Sequence, residues 1–457
     1  MIATILFWHL ASMVGFILGA LLIAHFLRQR RPPSDSLAWM LALILCPYLA
    51  LPLYLLFGGR KMQAIAKRKR RIEFTDGHET ATHLPTLQAV LASHRIPGPH
   101  SGHRLTLQTT GPERHAALLS VIAEAQHSLF LSLFILHPDR IGKEVIELLA
   151  QRAREGVKVR LLLDGVGSLH TRYRHLAELT EAGGHVAYFM PVFRRPLRTR
   201  TNLRNHRKAV IADEAVVWAG GSNIAQEYLG SEEDHGTWRD LTFVLHGPAV
   251  RQYCTLFRYD WEFATGEHIH LHAPEHTASG GGIVQVVPSG PDMPGDPLDD
   301  ALLILAQSAR RRLWIVTPYF VPDDAFCRTL ALTAHRGVDV RIHLPARSNH
   351  WLADLSGRTY LKEVQGAGGK LLFDPRMVHA KAVLVDDEAA VLGSANVDMR
   401  SLLLDYEVAL FAYDAPTIRA VEHWMEGLHR HARAQVLKQG GWAELAESLA
   451  RLVAPQL

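Results

Sequence analysis

The chain has 457 residues, of which 48% are hydrophobic, with a mean hydropathy of +0.02 and a formal net charge of +4. This length exceeds that of a typical single domain, and the apolar fraction is high for a fully soluble protein, so membrane segments are expected. The small net charge gives no support for nucleic acid as a partner. The three cysteines are scattered, which argues against a disulfide framework or a cysteine metal site and fits a reducing compartment.

The first 59 residues contain two apolar stretches. Ile2 to Leu27 has only two histidines as ionisable groups, and Leu37 to Phe57 has no charge at all. At about 1.5 Å per helical residue, each is long enough to cross a hydrocarbon core of about 30 Å. A transmembrane helical hairpin over residues 1–59 is therefore predicted. Pro47 and Pro52 leave a kinked or re-entrant second helix as an alternative.

A cleaved signal peptide is disfavoured for the first stretch, because it lacks a basic start, its apolar part is too long and a second span follows at once. Three arginines lie in the loop between the stretches, whereas seven Lys and Arg residues lie between Arg60 and Arg71. The positive-inside rule then predicts a multi-pass membrane protein in which the part after the second stretch lies in the cytoplasm. The second basic cluster is either a lipid-headgroup contact or a plain stop-transfer flank.

A polar connector is predicted over residues 60–105, followed by two similar halves over 106–278 and 279–457. Each half begins with the order helix, strand, helix, strand, which predicts an α/β sandwich with a mostly parallel sheet. The predicted elements of the first half are Ala116 to Ala125, Leu129 to Leu136, Ile141 to Arg154 and Val157 to Leu163. Those of the second half are Asp300 to Ser308, Leu313 to Val316, Ala325 to Ala334 and Val338 to Leu344.

One short pattern, His-x-Lys-x-x-x-x-Asp, occurs once in each half. Chance would supply about 0.03 copies in a chain of this composition, so the repetition indicates shared chemistry. Residues two apart in a strand face the same side, so each histidine and its lysine should enter one pocket. The candidate catalytic residues are His206, Lys208 and Asp213 in the first copy and His379, Lys381 and Asp386 in the second.

Two imidazoles and two ammonium groups suit phosphoryl transfer from a diester. One neutral imidazole can attack phosphorus while a protonated imidazole donates to the departing alcohol. Lysines facing the non-bridging oxygens would offset the charge of the transition state, so neither a metal nor a cofactor is required. Four histidines between His268 and His276 are assigned to an exposed linker rather than to a metal site.

Residues that follow the two motifs are candidates for phosphate binding and for orienting the histidines. Gly220-Gly221-Ser222-Asn223 and Gly393-Ser394-Ala395-Asn396 can bring backbone N–H groups, two amides and the Ser394 hydroxyl to a phosphate. Asp240 and Glu407 follow the first and second histidines respectively, and each is predicted to orient the histidine of its own half. Asp213 and Asp386 have an alternative role in organising the turn after the strand.

At this point the sequence resembles the phospholipase D superfamily and, within it, the bacterial cardiolipin synthases, over nearly the whole chain. The resemblance implies two pseudo-symmetric halves that share one active site, with His206 as a nucleophile that forms a phosphohistidine and His379 as acid and then base. Two departures are Asp405, where the family commonly has asparagine, and Arg376-Met377-Val378 before the second motif. The blocks that carry the resemblance include Asn205-His206-Arg207-Lys208, Trp238-Arg239-Asp240, Val287-Pro288-Ser289-Gly290-Pro291, Thr317-Pro318-Tyr319-Phe320-Val321-Pro322 and Gly393-Ser394-Ala395-Asn396.

Three functions remain open on the sequence. The favoured one is a membrane-bound phosphatidyltransferase that converts two phosphatidylglycerol molecules into cardiolipin and glycerol. The second is a phospholipase D-type phosphodiesterase that uses water, on phospholipid or, less favoured, on nucleic acid, or a transferase with another donor or alcohol. The third is a non-catalytic membrane scaffold, which would have little need for two intact motifs. The expected partners are phospholipids and the bilayer, not nucleic acid, and the oligomeric state is left open.

Overall fold

The computed structural model describes residues 33–46, 69–74, 82–191, 203–231, 236–272 and 280–437, together with residues 9, 13, 440, 447, 450 and 451. The chain divides into two compact units, Met1–Arg60 and Lys61–Leu457. In the first unit one helix is described, α1 (Pro33–Leu45). The predicted span Ile2 to Leu27 and most of the span Leu37 to Phe57 lie outside the described residues. Among the helices described, none has both the length and the apolar character needed to cross a bilayer.

The second unit is a mixed α/β structure with helices packed on a long sheet. Its helices are α2 (Pro85–Ser93), α3 (Gly111–Glu124), α4 (Arg140–Arg154), α5 (Ala177–Glu181), α6 (Gln226–Leu229), α7 (Val250–Thr265), α8 (Pro297–Ser308), α9 (Asp324–His335), α10 (Trp351–Gly366), α11 (Met399–Leu403) and α12 (Ala415–His431). A single 3₁₀ turn, Tyr173–His175, precedes α5.

The strands of the described part follow the order of the two repeats. They are β1 (His100–Gln108), β2 (Ser128–Leu133), β3 (Lys158–Asp164), β4 (His185–Phe189), β5 (Ala209–Ala212), β6 (Val216–Gly220), β7 (Thr242–His246), β8 (Gly282–Ser289), β9 (Arg312–Val316), β10 (Phe320–Val321), β11 (Asp339–Pro345), β12 (Lys370–Asp374), β13 (Ala382–Val385), β14 (Ala389–Gly393), β15 (Val397–Asp398), β16 (Glu407–Ala412) and β17 (Arg433–Ala434).

Fifteen of these strands form one sheet in the order β17-β12-β11-β9-β13-β14-β16-β8-β1-β7-β6-β5-β2-β3-β4, and β10 pairs with β15 separately. From the β1–β8 pair outward the strands of the two halves follow equivalent orders, with β17 as one additional edge strand in the second half, so a pseudo-twofold axis passes between the two central strands. Because β1 and β8 pair with each other in antiparallel register, the two halves share a continuous sheet.

The prediction of a mostly parallel sheet is wrong. In the 15-stranded sheet, β2-β3-β4 and β9-β11-β12 are parallel and the strands nearer the centre pair antiparallel. The reason is connectivity: helices cross between the outer strands, whereas a tight turn joins β5 to β6 and another joins β13 to β14. The helix and strand order predicted for the start of each half agrees with the structure to within a few residues.

The core is built from sheet faces and amphipathic helices. In α4, Ile141, Val145 and Leu149 recur at helical spacing and are fully buried against β2 and β3. Thr110 and Glu113 form a capping box that fixes the start of α3. A larger core cluster contains apolar residues of both halves and joins them, whereas a second, smaller cluster lies wholly within the first half.

The stretch predicted as a connector contains ordered structure. Leu87 and Leu91 of α2 are fully buried in the larger core cluster, and the predicted boundary at residue 105 falls inside β1. The segment before the first half therefore packs into the main body of the second unit.

Candidate active site

Each His-x-Lys segment is an extended strand end that pairs with the opposite half. The N–H of His206 donates to the carbonyl of Tyr406 over 2.9 Å, and the N–H of Tyr406 donates to Arg204 over 2.9 Å. In the second copy, the N–H of His379 donates to Arg239 over 2.7 Å, and the N–H of Arg239 donates to Met377 over 2.9 Å. These paired ladders bring both motifs to the junction of the halves.

The carboxylates that contact the two histidines are exchanged between the halves. Nδ1 of His206 lies 2.7 Å from Oε1 of Glu407, and Nδ1 of His379 lies 2.9 Å from Oδ2 of Asp240. The prediction that each acid contacts the histidine of its own half is therefore wrong, although each of the two acids does contact a histidine. The backbone ladders explain the exchange, because each histidine is aligned with the residue that precedes the acid of the other half.

Both imidazoles are held neutral in the substrate-free site. Burial lowers the pKa of His206 to about 4, and the opposing charge of Glu407 only partly restores it. Burial and the neighbouring Lys381 lower the pKa of His379 to about 3. An ionised carboxylate can only accept, so each ring carries its proton on Nδ1. The Nε2 lone pair of His206 is then available, whereas that of His379 faces the ammonium of Lys381 at 3.0 Å.

The two carboxylates stay ionised despite their burial. Burial alone would raise the pKa of Asp240, but His379 and its hydrogen bond lower it well below the usual range. The pKa of Glu407 is likewise lowered, because contact with His206 outweighs burial. Each pair therefore consists of a neutral ring and a negative carboxylate, ready to stabilise an imidazolium when one forms.

The lysines lie beneath the histidines in the same buried site. Nζ of Lys208 donates to the carbonyl of His206 over 2.8 Å, and burial lowers its pKa to about 8. Nζ of Lys381 lies 2.8 Å from Nδ1 and 3.0 Å from Nε2 of His379, and burial lowers its pKa to about 7. The charge on Lys381 also lowers the pKa of His206, which shows that the two motifs share one electrostatic environment.

The candidate phosphate ligands have different surroundings. Oδ1 of Asn223 accepts the N–H of Ile135 over 3.2 Å, which fixes the direction of its amide NH₂ group. Asn396 is buried and hydrogen-bonds to Asp398. Ser394 is not placed for the phosphate contact predicted for it, because its hydroxyl is fully buried and donates to Glu407. We therefore assign Ser394 to positioning Glu407.

The aspartates that end the two motifs bind backbone N–H groups away from the histidines, and from this placement we infer the structural role that the alternative interpretation gave them. Asp213 accepts the N–H groups of residues 126, 127 and 128, and Asp386 accepts those of residues 310, 311 and 312. Both have positive φ, 52° and 48°, in the turns after β5 and β13. Each lies at the end of its strand opposite to the histidine, so its carboxylate ties that turn to the start of a neighbouring strand.

Aromatic residues surround both histidines, and of these only Trp238 lies in a block that the sequence singled out. The ring of Phe134 meets that of His206 edge to face at 4.7 Å, and the ring of Tyr228 meets that of His379 at 4.9 Å. Trp238 adds a second contact to His379 at 5.6 Å. These rings exclude water and fix the imidazole planes. Phe134 could have been found only from its position at the end of the strand that pairs with β5.

A buried ion cluster lies behind the first motif. Arg207, whose side chain points away from the site, binds Asp260 and Asp292, each over 3.0 Å. Nζ of Lys69 contacts the same two carboxylates and lies 4.2 Å from the ring centre of Tyr406. Two cations and two carboxylates balance, which burial requires. The cluster joins the segment at residues 69–74 to both halves directly behind His206.

Asp405, one of the two departures from the family pattern, is buried next to this machinery. It accepts the N–H of Arg204 over 2.9 Å and the Nε of Arg400 over 2.9 Å. Burial raises its pKa to about 7, although Arg400 opposes the rise. The carboxyl group therefore titrates close to neutral pH, two residues before Glu407.

Within the described ranges, no group of three or more His, Cys, Asp or Glu side chains is arranged to hold a metal ion. The groups that can neutralise a phosphate here are the two lysines and the amide and backbone donors. The arrangement can therefore hold a phosphodiester between two imidazoles, attack it with one and protonate its leaving group with the other.

A duplicated mixed α/β fold with one histidine and lysine pair from each half defines a protein of the phospholipase D class. The family model described as cardiolipin synthase, PLD-like domain, matches residues 118–261 and 302–429, and the model described as phospholipase D-nuclease N-terminal matches residues 6–59. The chain belongs to the cardiolipin synthase family of this class.

Individual relatives agree with this assignment. The chain is 34% identical to the major cardiolipin synthase ClsA of Bacillus subtilis, covering 97% of this chain and 98% of that protein. It is 33% identical to a cardiolipin synthase of Geobacillus thermodenitrificans, covering 94% and 90%. The fold is also that of phosphatidylserine synthase from Haemophilus influenzae, with a TM-score of 0.59, 16% identity and coverage of 81% of this chain and 100% of the other.

The structural role of Asp386 is testable by replacing it with alanine. Three backbone N–H groups lose their charged acceptor, so we expect Asp386→Ala to lower the free energy of unfolding by about 2–4 kcal/mol. Turnover per folded molecule should stay within about threefold of the parent, because the carboxylate is remote from the imidazoles. The neighbouring exposed residue gives a control, Asp387→Ala, which should change stability by less than about 1 kcal/mol. Loss of turnover in fully folded Asp386→Ala would contradict the structural assignment.

Asp405 should make stability depend on pH. Its folded pKa of about 7 lies above the ordinary value near 4, so the folded state holds the proton more tightly and stability falls as pH rises between these values. Asparagine removes this titration and can still accept the Arg204 N–H. We therefore expect the melting temperature of Asp405→Asn to rise relative to the parent from pH 5 to pH 8. Glu181→Gln, which removes an exposed carboxyl group, serves as a control. A difference in melting temperature between Asp405→Asn and the parent that stays constant or shrinks as pH rises would contradict the prediction.

Proposed function

We propose that this chain is a membrane-bound phosphatidyltransferase that makes cardiolipin and glycerol from two phosphatidylglycerol molecules through a phosphohistidine intermediate. The observation that carries the proposal is the pair of neutral imidazoles, each bound by an ionised carboxylate of the opposite half, in one buried site. The curated relatives named cardiolipin synthase, which match over nearly the whole chain, support the choice of substrate. Family membership and the site chemistry both point to an enzyme rather than a scaffold.

In the first step, Nε2 of His206 attacks the phosphorus of the donor phosphatidylglycerol. A bond forms between nitrogen and phosphorus as the bond from phosphorus to the glycerol oxygen breaks. His379, protonated when the anionic diester is bound, donates its proton to that oxygen, and free glycerol leaves. Glu407 stabilises the positive charge that develops on the His206 ring.

In the second step, the terminal hydroxyl of another phosphatidylglycerol attacks the phosphohistidine. His379 accepts the hydroxyl proton, the phosphorus–nitrogen bond breaks, and cardiolipin is released with both histidines restored. Lys208 and Lys381 face the non-bridging oxygens in both steps, and Asn223 and Asn396 supply the amide contacts. The mechanism needs no cofactor.

Water is the competing acceptor, and its use would give phosphatidic acid instead of cardiolipin. The aromatic rings around both imidazoles favour transfer, because they limit access of water to the phosphohistidine. We place the enzyme in the bacterial inner membrane, anchored by two spans within residues 1–59, with the second unit in the cytoplasm. The match of residues 6–59 to the N-terminal family model and the basic residues after the second span support this placement.

The mechanism predicts that both histidines are essential. We expect His206→Asn and His379→Asn each to reduce cardiolipin formation from labelled phosphatidylglycerol by at least about a thousandfold, because each removes a proton-transfer or nucleophilic step. An exposed histidine of α12 gives a control, His423→Asn, which should retain full activity. Product analysis by thin-layer chromatography, with and without a metal chelator, is the measurement.

The expected product is cardiolipin, and the chelator should leave the parent rate unchanged. Phosphatidic acid as the main product would contradict the transferase assignment and would indicate a hydrolase. A loss of activity that only a divalent metal restores would contradict the metal-free mechanism, and substantial activity in either histidine variant would contradict the assignment of the site.

A further inference from the structure

A basic pocket lies next to the active site in the first half. Its volume is about 500 Å³, and it opens between the loop after β2 and the loop after β3. The carboxyl ends of parallel strands meet at one edge of the sheet, and β5 places His206 at this same edge. The pocket is lined by His137, Pro138, Leu169, His170, Arg172, Arg174 and His175.

The first loop ties the pocket to the phosphate-binding amide. The ring of Phe134 contacts that of His206 edge to face, and the next N–H, that of Ile135, donates to Asn223. The N–H of His137 donates to Ile224 over 2.9 Å. His137 therefore lies only two residues from the Asn223 contact, a reach of about 7 Å along an extended chain.

The second loop is fixed to the same site by buried polar contacts. Oγ of Ser168 donates to Phe134 over 2.9 Å and accepts the N–H of Leu136 over 3.1 Å. Asp164 accepts the N–H groups of Val166 and Asn205, and Asn205 immediately precedes His206. Asp164 thus holds both the pocket loop and the residue before His206. A ligand in the pocket would therefore have a fixed position relative to His206.

The pocket is positively charged and has little acidic compensation. Arg172 and Arg174 are exposed, and Nδ1 of His175 accepts the N–H of Arg172 over 3.1 Å. The pKa of His175 is lowered by desolvation and by the nearby positive charges of both arginines. The carboxylate nearest to His137 is Asp139 at 3.7 Å, and that group already accepts two backbone N–H groups. The pocket therefore favours an anion.

Apolar side chains border this charge. Val166, Leu169 and Tyr173 are 39%, 49% and 73% exposed in the same loop. A phosphate bound by arginine next to exposed apolar side chains matches a phospholipid, in which the headgroup is anionic and the adjoining chains are apolar.

We propose that this pocket binds the phosphate of the acceptor phosphatidylglycerol while the donor occupies the two histidines. The inference rests on the proposed transferase function and adds the residues that select the second substrate. In the product, a glycerol bridge of three carbons separates the two phosphates, so the acceptor phosphate must lie close to the transferred one. The pocket lies beside Asn223, where that second phosphate has to be.

The test compares two acceptors on one enzyme, using Arg172→Gln/Arg174→Gln in the full chain reconstituted in vesicles. Cardiolipin formation measures use of an acceptor that carries a phosphate. Exchange of labelled glycerol into phosphatidylglycerol measures use of an acceptor without one, through the same phosphohistidine. A matched control, Arg328→Gln/Arg419→Gln, removes two charges from exposed positions on α9 and α12.

We expect the pocket variant to need about tenfold more phosphatidylglycerol for half-maximal cardiolipin formation, since two charge-assisted contacts are lost. Glycerol exchange should stay within twofold of the parent, which also shows that the variant is folded. Arg172→Lys/Arg174→Lys should restore part of the loss, because it keeps the charge but not the bidentate geometry. The control variant should match the parent in both assays.

Equal losses in both assays would overturn the proposal, because the arginines would then serve the donor or general membrane contact. Unchanged cardiolipin formation would overturn it as well. Inhibition by inorganic phosphate of both acceptors alike would assign the pocket to free phosphate instead of a lipid headgroup. Failure of the proposed function itself is seen separately, as a parent enzyme that makes no cardiolipin at all.

Discussion

The exchange of carboxylates between the two halves is the constraint on which the rest of the site depends. Glu407 of the second half binds His206 of the first, and Asp240 of the first half binds His379 of the second. Neither half contains the carboxylate that contacts its own histidine, so both halves are needed to complete the site. The continuous sheet through β1 and β8 and the shared apolar core supply the rigidity that this exchange requires. One phosphodiester can then contact both rings at once.

Burial determines the protonation of the site. It makes both imidazoles neutral before substrate arrives and lowers the pKa of both lysines toward neutrality. An arriving phosphodiester brings negative charge, which favours protonated Lys381 and His379 and so prepares the acid. The same low dielectric requires the balanced cluster of Lys69, Arg207 and their two aspartates behind His206. The low dielectric that keeps His206 neutral therefore also holds the segment before the first half in place, through this balanced cluster.

Much of this arrangement could be predicted from the sequence. The repeated motif identified His206, Lys208, His379 and Lys381, and the apolar periodicity gave the order of helices and strands at the start of each half. Which histidine each acid contacts could not be predicted. Asp240 is nearer to His206 in sequence, but backbone hydrogen bonds between the halves pair it with His379. His206 and Glu407 are about 200 residues apart in sequence, too far for a local sequence pattern to predict their contact.

Other features were hidden for similar reasons. Asp213 and Asp386 belong to the same motif as the histidines and lysines. The intervening strands β5 and β13 place them at the ends opposite to the histidines. Ser394 differs from its counterpart Gly221, and only the coordinates show that its hydroxyl serves Glu407. The antiparallel pairing nearer the centre joins strands far apart in sequence, such as β1 with β7 and β8 with β16, in addition to the local β5–β6 and β13–β14 hairpins. The basic pocket is formed by two loops that neither motif includes.

The central claim is most directly tested by the rate at which the phosphohistidine forms from an activated donor, phosphatidyl-p-nitrophenol, whose leaving group needs no proton. Rapid quenching followed by mass spectrometry would measure the adduct in Glu407→Gln and Asp240→Asn. The exchanged pairing predicts that Glu407→Gln, in the half opposite to His206, slows adduct formation by about a hundredfold or more, whereas Asp240→Asn leaves it nearly unchanged. The reverse result, with Asp240→Asn slow and Glu407→Gln fast, would contradict it.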